Sequence, residues 1–345
     1  MKVSVAMVTY NHEKFIAKTL DSVLMQQTAF EYEIVIGEDC STDTTRDIVS
    51  EYKRNYPDKI RLFLNEKNMG MHANGAQVLQ ACTGEYIAML DGDDYWTSAD
   101  KLQQQVDFLD RHHGCSACFH DALIVAEDGS EEPRRYREKQ KEFSTVDDVL
   151  VDNFIPTAAV MFRRRLTEEL PAWADSLKMG DWVLHILNAL HGPIGYIDKT
   201  MSVYVVHRGG VWSMKSRQDH AVAMIELFEA LDRHLPRRYR YSTARILRWR
   251  YADASTVYEQ SGGLKSAGSY AVKAFVQHVK IVCGRLFSWK SREPSPLPHE
   301  IASVSGDRLF KNLLRLNVLP VMRSLFPLPL YKWLGALARK FDMEL

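Results

Sequence analysis

Three carboxylates, Asp91, Asp93 and Asp94, crowd around Gly92 where the apolar run Tyr86-Ile-Ala-Met-Leu90 ends. A short apolar run of this kind reads as a buried strand. Carboxylates at the carboxyl end of a strand in an open α/β sheet stand where ligands bind. So much negative charge repels itself unless a cation joins it. Mg²⁺ or Mn²⁺, carried with a phosphate-bearing substrate, is the fitting guest, because hard cations take oxygen ligands. A solvated acidic turn is the plain alternative. Asp-x-Asp alone does not decide between them; its surroundings do.

Other polar residues fall at comparable places. Residues 3–8 read as a strand ending in Thr9-Tyr10-Asn11-His12, which opens a helix. Backbone amides and small polar groups there suit a nucleotide, although Asn11 equally suits an ordinary helix cap. Residues 33–37 form the next strand pattern, ending in Glu38-Asp39-Cys40-Ser41. Asp39 there can accept hydrogen bonds from a base N–H or a ribose hydroxyl. Later, Met179-Gly180-Asp181-Trp182 precedes a helical run, which sets Asp181 at a helix N-terminus, where it is equally a plain cap.

The elements that must position these groups alternate. Strand patterns at 3–8, 33–37, 60–64 and 85–90 are separated by helical patterns at 12–27, 42–56 and 71–82. That order predicts an α/β fold with a mainly parallel sheet and helices on both faces. A helix over 98–113, strands at 116–126 and 158–162, a helix at 181–191 and a strand or hairpin at 194–206 follow. Residues 131–142 are highly charged and read as a loop. From 216 the pattern is helical, broken at Gly262-Gly263, and three prolines in 291–298 mark a linker. The expected division is a catalytic domain over 1–215 (nucleotide half 1–96, acceptor half 97–215) and a helical region over 216–345.

Lys+Arg and Asp+Glu are both 44, so no global field favours nucleic acid. No segment resembles a signal peptide and no apolar run reaches ~18 residues. Five cysteines suit a reducing compartment, so a cytoplasmic location is expected. Cys115-Ser-Ala-Cys118 has no second Cys pair, and buried thiols are favoured over zinc.

Several motifs together carry a resemblance. They are Val8-Thr9-Tyr10-Asn11-His12, Leu20-Asp-Ser-Val-Leu24, Glu33-Ile-Val-Ile-Gly-Glu-Asp39-Cys-Ser-Thr-Asp43, Asn68-Met-Gly70 and Gly84-Glu-Tyr-Ile-Ala-Met-Leu-Asp91-Gly-Asp-Asp-Tyr-Trp96. In this order and spacing they resemble family 2 glycosyltransferases of the GT-A fold. The likeness runs from residue 2 to about 96 and in later motifs to 213, roughly three-fifths of the chain. It implies an inverting transfer from a nucleotide-diphosphate sugar, with UDP preferred, to an acceptor hydroxyl. Asp39 would bind the base, with Thr9, Tyr10 and Asn11 forming its pocket. Asp91 would approach the ribose or the metal, Gly92 would lie at the nucleotide sugar, and Asp93 would ligate Mg²⁺ or Mn²⁺. Asp181 would be the general base, although Gly180 stands where an acidic residue is commoner. Trp182 would offer a face to a sugar, and Thr157 would lie at the acceptor pocket. Tyr204-Val-Val-His207-Arg208-Gly-Gly210 resembles a later family stretch, with Val205 where arginine is usual; His207 would reach the metal.

The late sequence bears on partners. Arg237–250 interleaves arginine with aromatics; nucleic acid is disfavoured, leaving anionic lipid or a solvated helix face. Arg308, Lys311 and Arg315 oppose Leu309, Leu313 and Leu316, and Leu330, Leu334, Leu337 and Phe341 form another stripe. Such helices either lie at a membrane interface or pack on protein. The resemblance and the basic tail together imply a glycan or lipid-linked acceptor of bacterial surface polysaccharide synthesis, met at the inner face of the plasma membrane. Nucleotidyl transfer would want a glycine-rich phosphate loop after the first strand, which is absent. A non-catalytic donor- or lipid-binding scaffold is the other rival, and it would be expected to lack Asp91, Asp93 or Asp181.

Overall fold

A computed structural model describes residues 1–166, 173, 180–210 and 215–286. The chain divides into two compact units, one spanning Met1–Lys215 and a second beginning at Ser216. The first opens with β1 (Val3–Thr9), α1 (Ile16–Leu24), β2 (Tyr32–Glu38), α2 (Thr45–Asn55), β3 (Ile60–Leu64), α3 (Met71–Ala81) and β4 (Tyr86–Asp91). β2 is buried at every position and β1 at all but one. Continuous burial explains why these strands read as unbroken apolar runs rather than alternating ones. α1 turns Ile16, Leu20 and Val23 into the core, at helical spacing.

These strands lie parallel in the order β3-β2-β1-β4. The register sets Val8 opposite Asp91 and Thr9 opposite Glu38. The carboxyl ends of three strands, and the polar residues that follow each, therefore share one edge of the sheet. α1 begins at Ile16, later than the pattern from 12 suggests. The His12 backbone N–H is tied to Thr45 Oγ1 at 2.8 Å, and His12–Phe15 forms a turn first.

The sheet continues through β5 (Tyr95–Trp96), α4 (Lys101–Arg111), β6 (Ala117–Ala126), β7 (Arg134–Arg135), β8 (Phe143–Ser144), α5 (Val146–Val151), β9 (Met161–Arg163), α6 (Gly180–Ala189) and β10 (Ile194–Val206). β9 runs antiparallel between β4 and β6, while β10 returns parallel to β6 and carries β5 antiparallel on its far side. Residues 194–206 form one irregular strand, not a hairpin. The expected strand at 158–162 starts as a 3₁₀ turn over Thr157–Ala159. α5 lies where no element was expected, and the charged loop 131–142 contains β7. Cys115 and Cys118 are buried free thiols, and burial pushes both up.

The second unit contains α7 (Arg217–His234), α8 (Arg240–Gln260) and α9 (Leu264–Leu286). Leu227, Phe228, Leu231, Ile246, Leu247 and Tyr251 are buried there. Tyr251 donates to Glu229 at 2.6 Å, and Ser255 to the Ala267 carbonyl at 2.9 Å. The arginines of α8 are divided: Arg240 is exposed, Arg248 is buried, and Arg250 lies over the Trp249 ring at 4.2 Å. Part of the arginine–aromatic interleaving is thus used within the unit. No described helix is long and apolar enough to cross a membrane. The linker at 291–298, both tail stripes over 308–341, and Met179 and Trp212 lie outside the described residues.

Candidate active site

At the shared edge, the turn after β4 carries Asp91-Gly92-Asp93-Asp94. Gly92 is required by space. A Cβ there would stand 2.6 Å from Thr9 Oγ1 and 2.8 Å from His12 Nδ1. The absence of a side chain lets the ends of β1 and β4 close on one another.

Asp93 faces two imidazoles. His207 Nε2 lies 2.9 Å from Asp93 Oδ2, and His12 Nε2 lies 3.6 Å from the same oxygen. Burial disfavours the Asp93 charge, but the His207 hydrogen bond and the two rings outweigh it and hold the carboxyl below its ordinary range. Asp91 behaves oppositely. Burial first, then the charges of Asp93 and Asp181, push it up to about 8. Asp94 is fully buried and also raised, by burial and by the other two acids. It accepts from the Val205 backbone N–H at 2.9 Å. That bond pins β10 two residues before His207 and thereby delivers the histidine to the acids.

Asp39 stands beside the end of β1, its backbone N–H donating to the Thr9 carbonyl at 3.1 Å. Its carboxylate is 3% exposed and already accepts from Asn65 Nδ2 and from the Met69 and Gly70 backbone N–H groups, at 2.8–3.1 Å. A carboxylate offers about four acceptor positions, so one stays open. Tyr10 is 40% exposed. Asn11 takes a left-handed φ of 56° and accepts from the Thr42 N–H at 2.8 Å, tying the loops after β1 and β2 together. Asn tolerates that backbone region better than most residues. Asn11 does not cap α1.

Asp181 lies in the first turn of α6 and accepts from Asn153 Nδ2 at 3.3 Å. Gly180 is packed close to His72 of α3; a Cβ on it would approach that ring to 3.2 Å. Trp182 corrects an expectation. It is 3% exposed, and its Nε1 donates to the Val149 carbonyl at 2.7 Å. The indole fastens α6 to α5 and presents no face to a sugar. Thr157 opens the 3₁₀ turn and is half-buried.

The expected trio of metal ligands, Asp91, Asp93 and His207, is not assembled as a cage: among the described residues no group of three ligating side chains is arranged around one point. Mg²⁺-type sites usually take one or two carboxylates and complete their shell with substrate phosphates and water. The donors present fit that pattern. Carboxylate oxygen suits Mg²⁺ and Mn²⁺, the raised Asp91 marks a site short of positive charge, and His207 Nε2, which donates to Asp93 Oδ2, orients that carboxylate.

His12 was not singled out from the sequence. Its place after Thr9 at the end of β1 was the available signal, but its approach to Asp93 depends on the β1–β4 pairing. Asn153, between α5 and the 3₁₀ turn, opens the stretch 153–163 that resembles an acceptor-pocket segment, but only Thr157 of that stretch carried an expected role.

Comparison with known proteins agrees with the fold. The family model described as Glycosyl transferase family 2 matches residues 4–170. An uncharacterized protein of Mycobacterium tuberculosis is 39% identical over 210 residues, 61% of this chain and 60% of that one, so the chain spans about 60% of the length of this relative. The putative teichuronic acid biosynthesis glycosyltransferase TuaG of Bacillus subtilis is 33% identical over 189 residues, 52% of this chain and 73% of that protein. The crystal structure of Staphylococcus aureus TarS 1–349 in complex with UDP-GlcNAc superimposes with a TM-score of 0.60 at 21% identity, covering 79% of this chain and 82% of that one. The mannosyltransferase PcManGT of Pyrobaculum calidifontis, in complex with GDP-Man and Mn²⁺, gives 0.56 at 17%, over 92% and 87%. Those two structures bear on the fold alone. With the fold so arranged, the chain belongs to glycosyltransferase family 2 and has the GT-A fold.

Proposed function

We propose that this enzyme moves a sugar from a nucleoside-diphosphate sugar, with UDP preferred, to an acceptor hydroxyl, inverting the anomeric centre. One observation supports this above the rest: Asp93, held charged between His12 and His207, shares a cluster with Asp91 and Asp181 at the carboxyl edge of the parallel strands. The nucleotide would lie along the ends of β1 and β2, with Thr9, Tyr10 and Asn11 beside it and the open lone pair of Asp39 toward the base. Asp93, with Asp91 beside it, would hold Mg²⁺ or Mn²⁺, the donor's phosphates and water completing the shell. Such an ion, when bound, neutralises the charge that grows on the leaving diphosphate.

Asp181 takes the acceptor hydroxyl's proton as that oxygen attacks the anomeric carbon. Asn153 holds one Asp181 oxygen and leaves the other for the proton. Two relatives support a polymer acceptor: TuaG is named for teichuronic acid biosynthesis, and TarS of S. aureus is named a poly(ribitol-phosphate) β-N-acetylglucosaminyltransferase. A surface glycan or its lipid-linked precursor, met at the cytoplasmic face of the membrane, is the acceptor class. Asp181→Asn tests the base: it should keep UDP binding and lose sugar transfer, and retained turnover would sink the assignment.

A further inference from the structure

Behind Asp181 the molecule buries more polar atoms than its side chains satisfy. His185 follows Asp181 by one helical turn on α6 and is 0% exposed, and Asn188, three residues on, is 1% exposed. Residues at these spacings share a helix face. Neither amide atom of Asn188 nor Asn153 Oδ1 has a hydrogen-bond partner, and the His185 ring has none beyond the Ile155 backbone. The His185 ring meets the Ile155 backbone, two residues from Asn153, so segment 153–155 packs on the face of α6 that carries Asp181 and His185. Native proteins seldom leave buried polar atoms unpaired. Where such atoms cluster, ordered water making about three hydrogen bonds commonly joins them.

We propose that ordered water links Asn153, His185 and Asn188 into a polar file behind Asp181, and that His185 is the positioning residue that orients the Asp181 carboxylate through it. The inference rests on Asp181 being the general base. A neutral imidazole offers one donor and one acceptor. With the ring N–H given to the Ile155 backbone, water donating both to the other His185 nitrogen and to Asn153 Oδ1 fixes which way the Asn153 amide faces. Its Nδ2 is then held toward Asp181 Oδ2, at the 3.3 Å observed. Burial pushes His185 down to about 4 against the pull of Asp181, so the ring stays neutral at neutral pH and does not compete for the acceptor's proton.

The test uses the full chain with H185L, H185Q and D181N, assayed for nucleoside diphosphate release from UDP-GlcNAc and GDP-mannose, with UDP titrated as the binding probe. H185L should lower kcat about ten- to hundredfold, as small misplacements of a catalytic group do, with KM and UDP affinity unchanged. H185Q restores a donor and an acceptor and should recover most of the rate. If D181N is inactive while H185L turns over like wild type, the positioning role is overturned and the base assignment stands. If D181N turns over, the base assignment is what fails. A high-resolution crystal structure of the wild-type chain decides the file itself, whatever the assays give or whether H185L folds. Water shared between His185 and Asn153 Oδ1 is expected; a dry file, or His185 paired directly with other side chains, overturns it.

Discussion

Asp91 and Asp93 are two residues apart, yet their surroundings push them in opposite directions. Asp93 has two imidazoles; Asp91 has only other acids. On the proposed function, a cation and a diphosphate would complete a site so divided. Asp93→Asn should therefore abolish the Mn²⁺-dependent part of UDP binding in a calorimetric titration, and an unchanged metal effect would remove Asp93 as a ligand. Gly92→Ala places a methyl within 2.6 Å of Thr9 Oγ1. Overpacking of that kind costs about 1–3 kcal/mol, which a denaturant midpoint would register; an unchanged midpoint would mean that β1 and β4 part freely there. The acids were legible because strand, glycine and carboxylates are adjacent in sequence. His12 was not, because 80 residues lie between it and Asp93 and only the sheet register joins them.

At the scale of elements, α6 and α4 carry the clearest consequences. Trp182 was expected at the acceptor and instead locks α6 to α5. Trp182→Ala should cost about 3–5 kcal/mol of stability, as loss of a buried aromatic does, and UDP affinity should be unaffected. Weakened UDP binding in a folded variant would contradict the assigned packing role. A tryptophan in the first turn of a helix reads the same from sequence whether it faces solvent or α5; tertiary contact alone decides. α5 was missed because it is six residues long and acidic, although Thr145 and Asp148 form a capping box that marks its start.

Under α4, His120 is fully buried near Lys101, and burial, with that lysine, pushes it down to about 3. The unfolded chain binds a proton at this histidine below pH 6.5 and the folded chain does not. Stability from this group is therefore present above pH 6.5 and lost as pH falls toward 3, by about 2 kcal/mol at pH 5. Thermal unfolding followed from pH 7 to 5 should show that loss, and His120→Gln should remove this part of it. A His120→Gln chain with the wild-type slope would place the acid sensitivity elsewhere.

Across the whole molecule, the parallel half of the sheet was the most legible part, because strands buried on both faces and amphipathic helices have distinct periods. The antiparallel insertion of β9 was not: three residues carry no period, and their place between β4 and β6 comes from long-range pairing. The second unit was legible as helical, but not in the partition of its arginines between surface and interior. Truncation at about residue 300 should release the protein from membrane fractions if the last segment anchors it, and an unchanged distribution would assign those stripes to packing.

The central claim is metal-assisted transfer from a nucleotide sugar at the Asp91–Asp93–Asp181 cluster. Its most direct test is release of nucleoside diphosphate by the purified full chain from a panel of nucleotide sugars, with and without Mn²⁺ or Mg²⁺, in the presence of a polysaccharide or lipid-linked acceptor extract. Release from one donor that requires the divalent ion is the expected result. Equal release with and without metal, or none from any donor when acceptor is supplied, would contradict it.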